Sequence, residues 1–498
     1  MKKINIYISC LILAAGFSSC DEFLSEVPDN RTQVDSKEKV GELLVTAYSQ
    51  TSATPFLELM SDNVFDSENL TLTKDNQLDQ YSWKLEEGIT QDTPTGFWDS
   101  SYAAIAAANE ALDAMEKMGV SDDPEYSGLR AEALIARAFA HFELVQIWGK
   151  AYDPATAESD LGVPYVDSPE RELIKLYERE SVADVYAKIE ADLEEGLKSV
   201  SDNYRQPKFH FNKHAAYAFA TKFYLAKANW AKVLEYSDYL AANPKAFIRD
   251  YKAFKLVGTN EKFQYYSRPE HVTNLLVNTQ ISSYWRYGYV GGSRFFLTGK
   301  DEASIMGRAL NPFKKEWLYE GASYNSNVTV VYPKLGEYFR LDDPSAGTGM
   351  PFVNYVLFSN DEVYLNRLEA LVMEGRIEEA IKGLEFFLGT RTNGYNELTD
   401  KLTYAKLVEL TPYVSDELTP FYSMTIEQTV VLKSILEAKR REFIQEGKRW
   451  FDIKRFDIKV IHKFAGGTEI VLEKGDLKRQ LPLPLHVVSA GLIDNPRN

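Results

Sequence analysis

Apolar residues recur every three to four positions along most of the chain, and each such stretch predicts an amphipathic helix. Over 98–118, Tyr102, Ile105, Ala106, Asn109, Leu112 and Met115 share one face. Over 128–148 the face is Leu134, Ala138, Phe142, Val145 and Trp148, and Gly149 ends it. A third helix is predicted over 181–200, with Ser181 as its cap and Asp184 at the capping-box position. Two pairs follow: 214–227 with 230–242, joined at Ala228-Asn229, and 361–374 with 377–388, joined at Gly375-Arg376. Ala218, Ala226, Ala370 and Ala380 stand where two antiparallel helices must approach closely. These hairpins look like tetratricopeptide repeats, though their spacing is irregular. The expected fold is mainly α, built of tetratricopeptide-like helical hairpins.

Between 246 and 350 the periodicity fades. One residue in five from 261 to 340 is aromatic, against 13% for the whole chain. The run Tyr284-Trp285-Arg286-Tyr287-Gly288-Tyr289 has no burial period. Long irregular segments are usually functional or disordered, and aromatic richness argues against disorder. This gives an expected division into 1–19, 20–245, a loop-rich aromatic insertion at 246–350, and a helical region at 351–498.

Charge and cysteine content narrow the function. The 498 residues carry 56 Lys and Arg against 73 Asp and Glu, a formal charge of -17, which disfavours nucleic acid as a partner. The two cysteines are Cys10 and Cys20, so residues beyond 20 hold no disulfide and no thiolate metal site. Lys2 and Lys3 precede a mostly apolar stretch, Ile4 to Phe17, too short to span a membrane and suited to a secretory signal. Phe17-Ser18-Ser19-Cys20 resembles a bacterial lipobox, which makes Cys20 the lipidated N-terminus after cleavage. Asp21-Glu22 resembles the acidic signal that exports some lipoproteins to the outer face of the outer membrane.

Several short motifs occur in order along the chain. They are Cys20-Asp21-Glu22-Phe23-Leu24, Leu59-Met60-Ser61-Asp62-Asn63, and Trp98, Tyr102, Ile105 and Asn109. Next come Glu132, Ala133, Arg137, Ala138, Phe142 and Leu144, then Leu161-Gly162-Val163-Pro164, then Val185, Tyr186, Ile189, Asp192 and Leu193. Near the end stand Glu437, Arg440, Arg441, Glu442, Phe443, Glu446, Gly447, Arg449, Trp450, Asp452 and Arg455. Together they resemble the SusD/RagB family of nutrient-binding outer-membrane lipoproteins. The resemblance implies a non-enzymatic protein without cofactor that caps a SusC-like, TonB-dependent barrel and delivers glycans, or in some members peptides, into it. The chain looks compact for that family, so a family ligand site is not carried over by position.

Catalytic signatures give little. There is no His-Glu-x-x-His zinc motif and no Gly-x-Ser-x-Gly elbow, and the Gly-Lys at 299–300 lacks the spacing of a phosphate loop. His210 and His214 are four apart but lack a third ligand, so no metal site is expected. The Arg and Glu residues from 437 to 455 lie on a helix predicted from Glu427 onward, and read as a buried ion-pair lattice.

A pyranose offers a nearly apolar C–H face and a polar rim, so aromatic rings stack on it while amides and guanidinium groups bind its hydroxyls. Tyr284, Trp285, Tyr287 and Tyr289, with Arg286 and Asn278, are the first candidate set. Tyr81 and Trp83 form a second, and Trp317, Tyr319 and Tyr324 a third. Trp98, Trp148, Trp230 and Trp450 fall on helical faces and are assigned to packing. Three readings compete: an oligosaccharide-binding lipoprotein, a peptide-binding member of the same family, and a lipid-anchored glycoside hydrolase.

Overall fold

In the computed structural model, described for residues 34–497 apart from 85–87, 173–174, 242–246, 289–291 and 325–328, helices are the dominant regular structure. After α1 (Lys37–Leu44), the long helices α2 (Pro94–Lys117) and α3 (Ser127–Trp148) pack together, and α4 (Val182–Leu197) lies on α3. The pair α5 (Lys213–Ala226) and α6 (Trp230–Ala241) follows. Alanine makes the pairing tight: Ala104, Ala107, Ala108 and Ala111 of α2 and Ala131, Ala133, Ala136 and Ala138 of α3 are all buried. At Gly196 a Cβ would come within 2.6 Å of Ile135, so α4 can approach α3 only with glycine there.

Side-chain oxygens cap the helices. Thr93, Ser181 and Asn212 accept from the backbone N–H groups of Gly96, Asp184 and Ala215. The expected helix at 98 starts four residues earlier, at Pro94, because Thr93-Pro94 supplies a cap and a first-turn proline. Apolar burial is continuous around Phe97, Trp98 and Trp148, with the Trp98 and Trp148 rings 4.9 Å apart.

The stretch from 246 to 350 is less irregular than its sequence. Strand β1 (Asn274–Ile281) forms an antiparallel sheet with β2 (Glu337–Asp343) and β3 (Thr348–Ser359), in the order β1-β3-β2. Tyr284–Gly288 forms the one-and-a-half-turn helix α7 beside it. A boundary at 350/351 falls inside β3, whose last residue, Ser359, caps α8 (Asn360–Met373). Helix α9 (Ile377–Thr390) and α10 (Ile426–Glu442) pack on α8.

The helix expected to run from Glu427 through Arg455 is broken. It ends at Glu442, turns through positive φ at Gln445 (65°) and Gly447 (71°), and resumes as α11 (Arg449–Arg455). The buried Glu58 carboxylate accepts the backbone N–H groups of Gln445 at 2.9 Å and Gly447 at 3.0 Å, replacing helical bonds with a long-range latch.

Candidate ligand-binding face

Most of the aromatic residues expected to meet a ligand are interior. The Tyr81 ring, 1% exposed, lies between Phe295 at 4.3 Å and His462 at 4.0 Å. Trp83 stacks on His462 at 4.3 Å and donates its indole N–H to the Met60 carbonyl at 3.0 Å. Tyr284 is buried against Phe296, and Trp317 is buried beside the Arg441 guanidinium. Tyr319 is half-buried and donates its hydroxyl to Glu442 at 2.7 Å. Asn278 donates its amide to the Ser49 carbonyl at 2.8 Å, which ties β1 to the N-terminal region. These six side chains therefore build the layer under the surface. Tyr289 and the side chains of Tyr287 and Tyr324 lie outside the described residues.

Trp285 and Arg286 remain at the surface. Arg286 grips Glu337 with contacts of 2.7 to 2.9 Å, and its guanidinium lies 5.4 Å from the Phe339 ring. Trp285, half-buried, meets Phe263 edge to face at 6.3 Å. Around them β2 displays side chains that sequence reasoning missed: Tyr338 is 43% exposed, Phe339 42% and Leu341 53%. Tyr338 stacks across the strands on Phe352 at 5.5 Å, and the Arg340 guanidinium lies 4.8 Å from the same ring. β2 is the edge strand of this sheet and leaves both aromatic rings half-exposed. The available sequence signal was Tyr338-Phe339 set between Glu337 and Arg340: adjacent residues of a strand face opposite ways, so both cannot enter one core.

One buried acid holds this face in place. Asp92, 2% exposed and at φ 67°, accepts from the Ser282 hydroxyl and the Ser283 N–H, both at 2.6 Å, just before α7 begins. Burial, reinforced by the nearby Glu337 charge, pushes its carboxyl up to about 6. Ser282 also shares a hydrogen bond of 2.8 Å with the Tyr355 hydroxyl of β3.

The remaining titratable groups are tied into structure. His141 is pushed down to about 3 by burial, and Nε2 accepts the Val166 N–H at 3.0 Å. His210 bonds Glu132 at 2.8 Å, and His462 bridges the carbonyls of Tyr81 and Ser61. Among the described residues, no three His, Cys, Asp or Glu side chains are grouped to hold a metal ion. The C-terminal Arg and Glu residues form an ion-pair lattice, but mostly with distant partners. Arg449 binds both oxygens of Asp62 at 2.9 Å, Arg455 binds Glu369 at 2.7 Å, and Glu446 bonds Tyr266 and Lys334.

The described residues form a stack of helical hairpins flanking a small sheet whose edge strand shows aromatic and guanidinium groups. Residues 22–225 match the family model described as SusD-like, starch-binding, associating with outer membrane. A SusD-like protein of Formosa agariphila is 21% identical, with 91% of each chain covered. A putative sugar-binding protein of Bacteroides vulgatus superposes with a TM-score of 0.68 at 18% identity, covering 93% of this chain and 99% of its own. A SusD superfamily protein of Bacteroides thetaiotaomicron gives 0.64 at 19% identity, covering 92% and 98%. The family match thus lies in residues 22–225, and over nearly the whole chain the fold is that of these SusD superfamily structures.

Proposed function

We propose that this chain is a non-catalytic carbohydrate-binding protein of the outer membrane that holds oligosaccharides against the β2–β3 edge and α7 and passes them to a SusC-like, TonB-dependent barrel. The observation that carries this reading is the half-exposed Phe339 ring beside the Arg286 guanidinium on one face of β2, with half-exposed Tyr338 and Arg340 against Phe352 on the other. Rings supply the stacking surface, and guanidinium edges supply donors to hydroxyls. The names of its relatives, starch-binding and sugar-binding, point the same way. Cys20 is the proposed lipid anchor and lies outside the described residues. No described helix is long and apolar enough to cross a membrane. Arg286 is already neutralised by Glu337, so it favours hydroxyl contacts over capture of a peptide carboxylate.

Calorimetric titration with a panel of soluble oligosaccharides and, beside it, short peptides tests the proposal. Saturable heat from at least one oligosaccharide is expected. Peptide binding without sugar binding gives the peptide reading, and release of reducing ends on incubation gives the hydrolase reading.

A further inference from the structure

Where α3, α5, α8, α10 and α11 converge, a cavity of about 50 Å³ is lined by Lys222, Lys439, Arg440, Lys448, Arg449 and Arg455. Four carboxylates answer these six cations directly. Glu362 pairs with Lys448 and more distantly, at 3.5 Å, with Lys222, while Glu369 takes Lys439 and Arg455. Asp62 takes Arg449 and Arg440, and Asp452 adds a second contact to Arg455. Glu437 and Glu446 reach Arg440 and Lys448 at 3.7 and 4.0 Å, but each is engaged more closely by another cation, Arg441 at 3.2 Å and Lys334 at 2.7 Å. The cluster is left with an excess of positive charge.

One donor is also unspent. Arg449 gives Nε and Nη2 to Asp62, and its Nη1 is buried and meets no protein acceptor, on a side chain only 6% exposed that lines the cavity. A buried charged donor without an acceptor is costly. Across the adjoining cavity, Glu143 faces Lys222 but stays outside ion-pair distance, and burial pushes its carboxyl up to about 7, so it offers Lys222 less than a full charge at neutral pH.

We infer that this cavity is a site for a small inorganic anion, of the halide or nitrate class, held by Arg449 Nη1 and Lys222. A water needs roughly 10–15 Å³ of such space, so the cavity has room for one ion and a few waters, and none for a sugar ring. The ion would tie α5 to the break between α10 and α11, independently of the ligand face. The inference does not rest on the proposed carbohydrate function.

Bromide is the probe. Thermal unfolding of the detergent-solubilised full-length protein is followed at constant ionic strength while methanesulfonate is exchanged for bromide. A saturable rise in Tm is expected, and anomalous diffraction from bromide-soaked crystals should place a peak in hydrogen-bond contact with Arg449 Nη1. Lys222→Met, at a partly exposed position with one long ion pair, should raise the half-saturating bromide concentration about tenfold. If that variant fails to fold, the wild-type diffraction decides alone. Equal Tm values in the two salts, or bromide peaks confined to the surface, overturn the inference.

Discussion

Arg391 and Glu442 face each other in the interior with neither side chain exposed, the guanidinium donating Nε and Nη2 to the two carboxylate oxygens at 2.9 and 3.0 Å. Nη2 also reaches Asp361, Nη1 reaches the Arg249 carbonyl, and the Tyr319 hydroxyl closes the carboxylate's remaining side. The Asp361 carboxyl is held below its ordinary range by Arg391 and Arg249 despite the opposing effect of burial. Removing the cation strands two buried carboxylates. Arg391→Met should therefore cost about 3 to 5 kcal/mol in denaturant unfolding. Tyr319→Phe, which removes one of several donors, should cost about 1 kcal/mol.

The helical half of the molecule was legible because a helix face repeats every 3.6 residues. Leu134, Ala138, Phe142, Val145 and Trp148 are all buried, although α3 is buried on nearly every side from Ala131 to Trp148, so the period located the helix and not its inward face. The ligand layer was not legible, for a different reason. Tyr81 and Trp83 are buried by His462, whose ring is bonded to a carbonyl 381 positions away in sequence, and no local pattern encodes such a partner. The same holds for the C-terminal lattice: its acids and bases announced ion pairs, but Arg449 finds Asp62 and Arg391 finds Glu442 across the fold. The break at Gln445 to Gly447 depends on Glu58, which is equally remote.

Asp92 makes stability depend on pH. Burial raises the Asp92 carboxyl from its ordinary 3.8 to about 6 in the folded chain, so the folded chain binds this proton more tightly than the unfolded chain. The contribution favouring folding is full below about pH 4 and is lost as pH rises through about 6. A shift of this size is on the order of 2 to 3 kcal/mol. Asp92→Asn keeps an oxygen acceptor for the Ser283 N–H and cannot ionise. The difference in unfolding free energy between variant and wild type should grow in the variant's favour from pH 4 to pH 7, and parallel pH profiles would contradict this assignment.

Lys454 is buried in the lattice without a carboxylate. Its ammonium donates to the carbonyls of Gln146 at 2.5 Å, Gly149 at 2.8 Å and Ile147 at 3.4 Å, closing the C-terminus of α3. Burial, with the nearby Arg479 charge, pushes this amine down to about 7, and its N–H groups satisfy carbonyls that the helix cannot bond. Lys454→Met should lower stability by about 2 to 4 kcal/mol in denaturant melts. Hydrogen exchange should report the loss first in the last turn of α3.

Cys20 is expected to carry the lipid. Cys20→Ala should move the protein from the membrane fraction to the soluble fraction, with an unchanged circular-dichroism melt of the released material. Retention of the variant in membranes from a strain lacking the partner barrel would remove the lipid-anchor reading.

The exposed edge of the sheet is where binding and stability should separate. Phe339 is 42% exposed and packs mainly on the Arg286 guanidinium, so its truncation exposes little core. Stacking a sugar ring on such a side chain contributes about 1 to 2 kcal/mol, by analogy with aromatic pairs. Phe339→Ala should then weaken oligosaccharide binding about tenfold, with Tm nearly constant. Trp285→Ala should show both effects, because that side chain is half-buried and meets Phe263 edge to face. Tyr81→Ala, by contrast, empties the space between Phe295 and His462 and should cost about 3 to 5 kcal/mol of stability while affinity per folded molecule stays unchanged. Titration calorimetry on the three variants beside circular-dichroism melts distinguishes these outcomes. Unaltered affinity in both Phe339→Ala and Trp285→Ala would move the ligand away from this face.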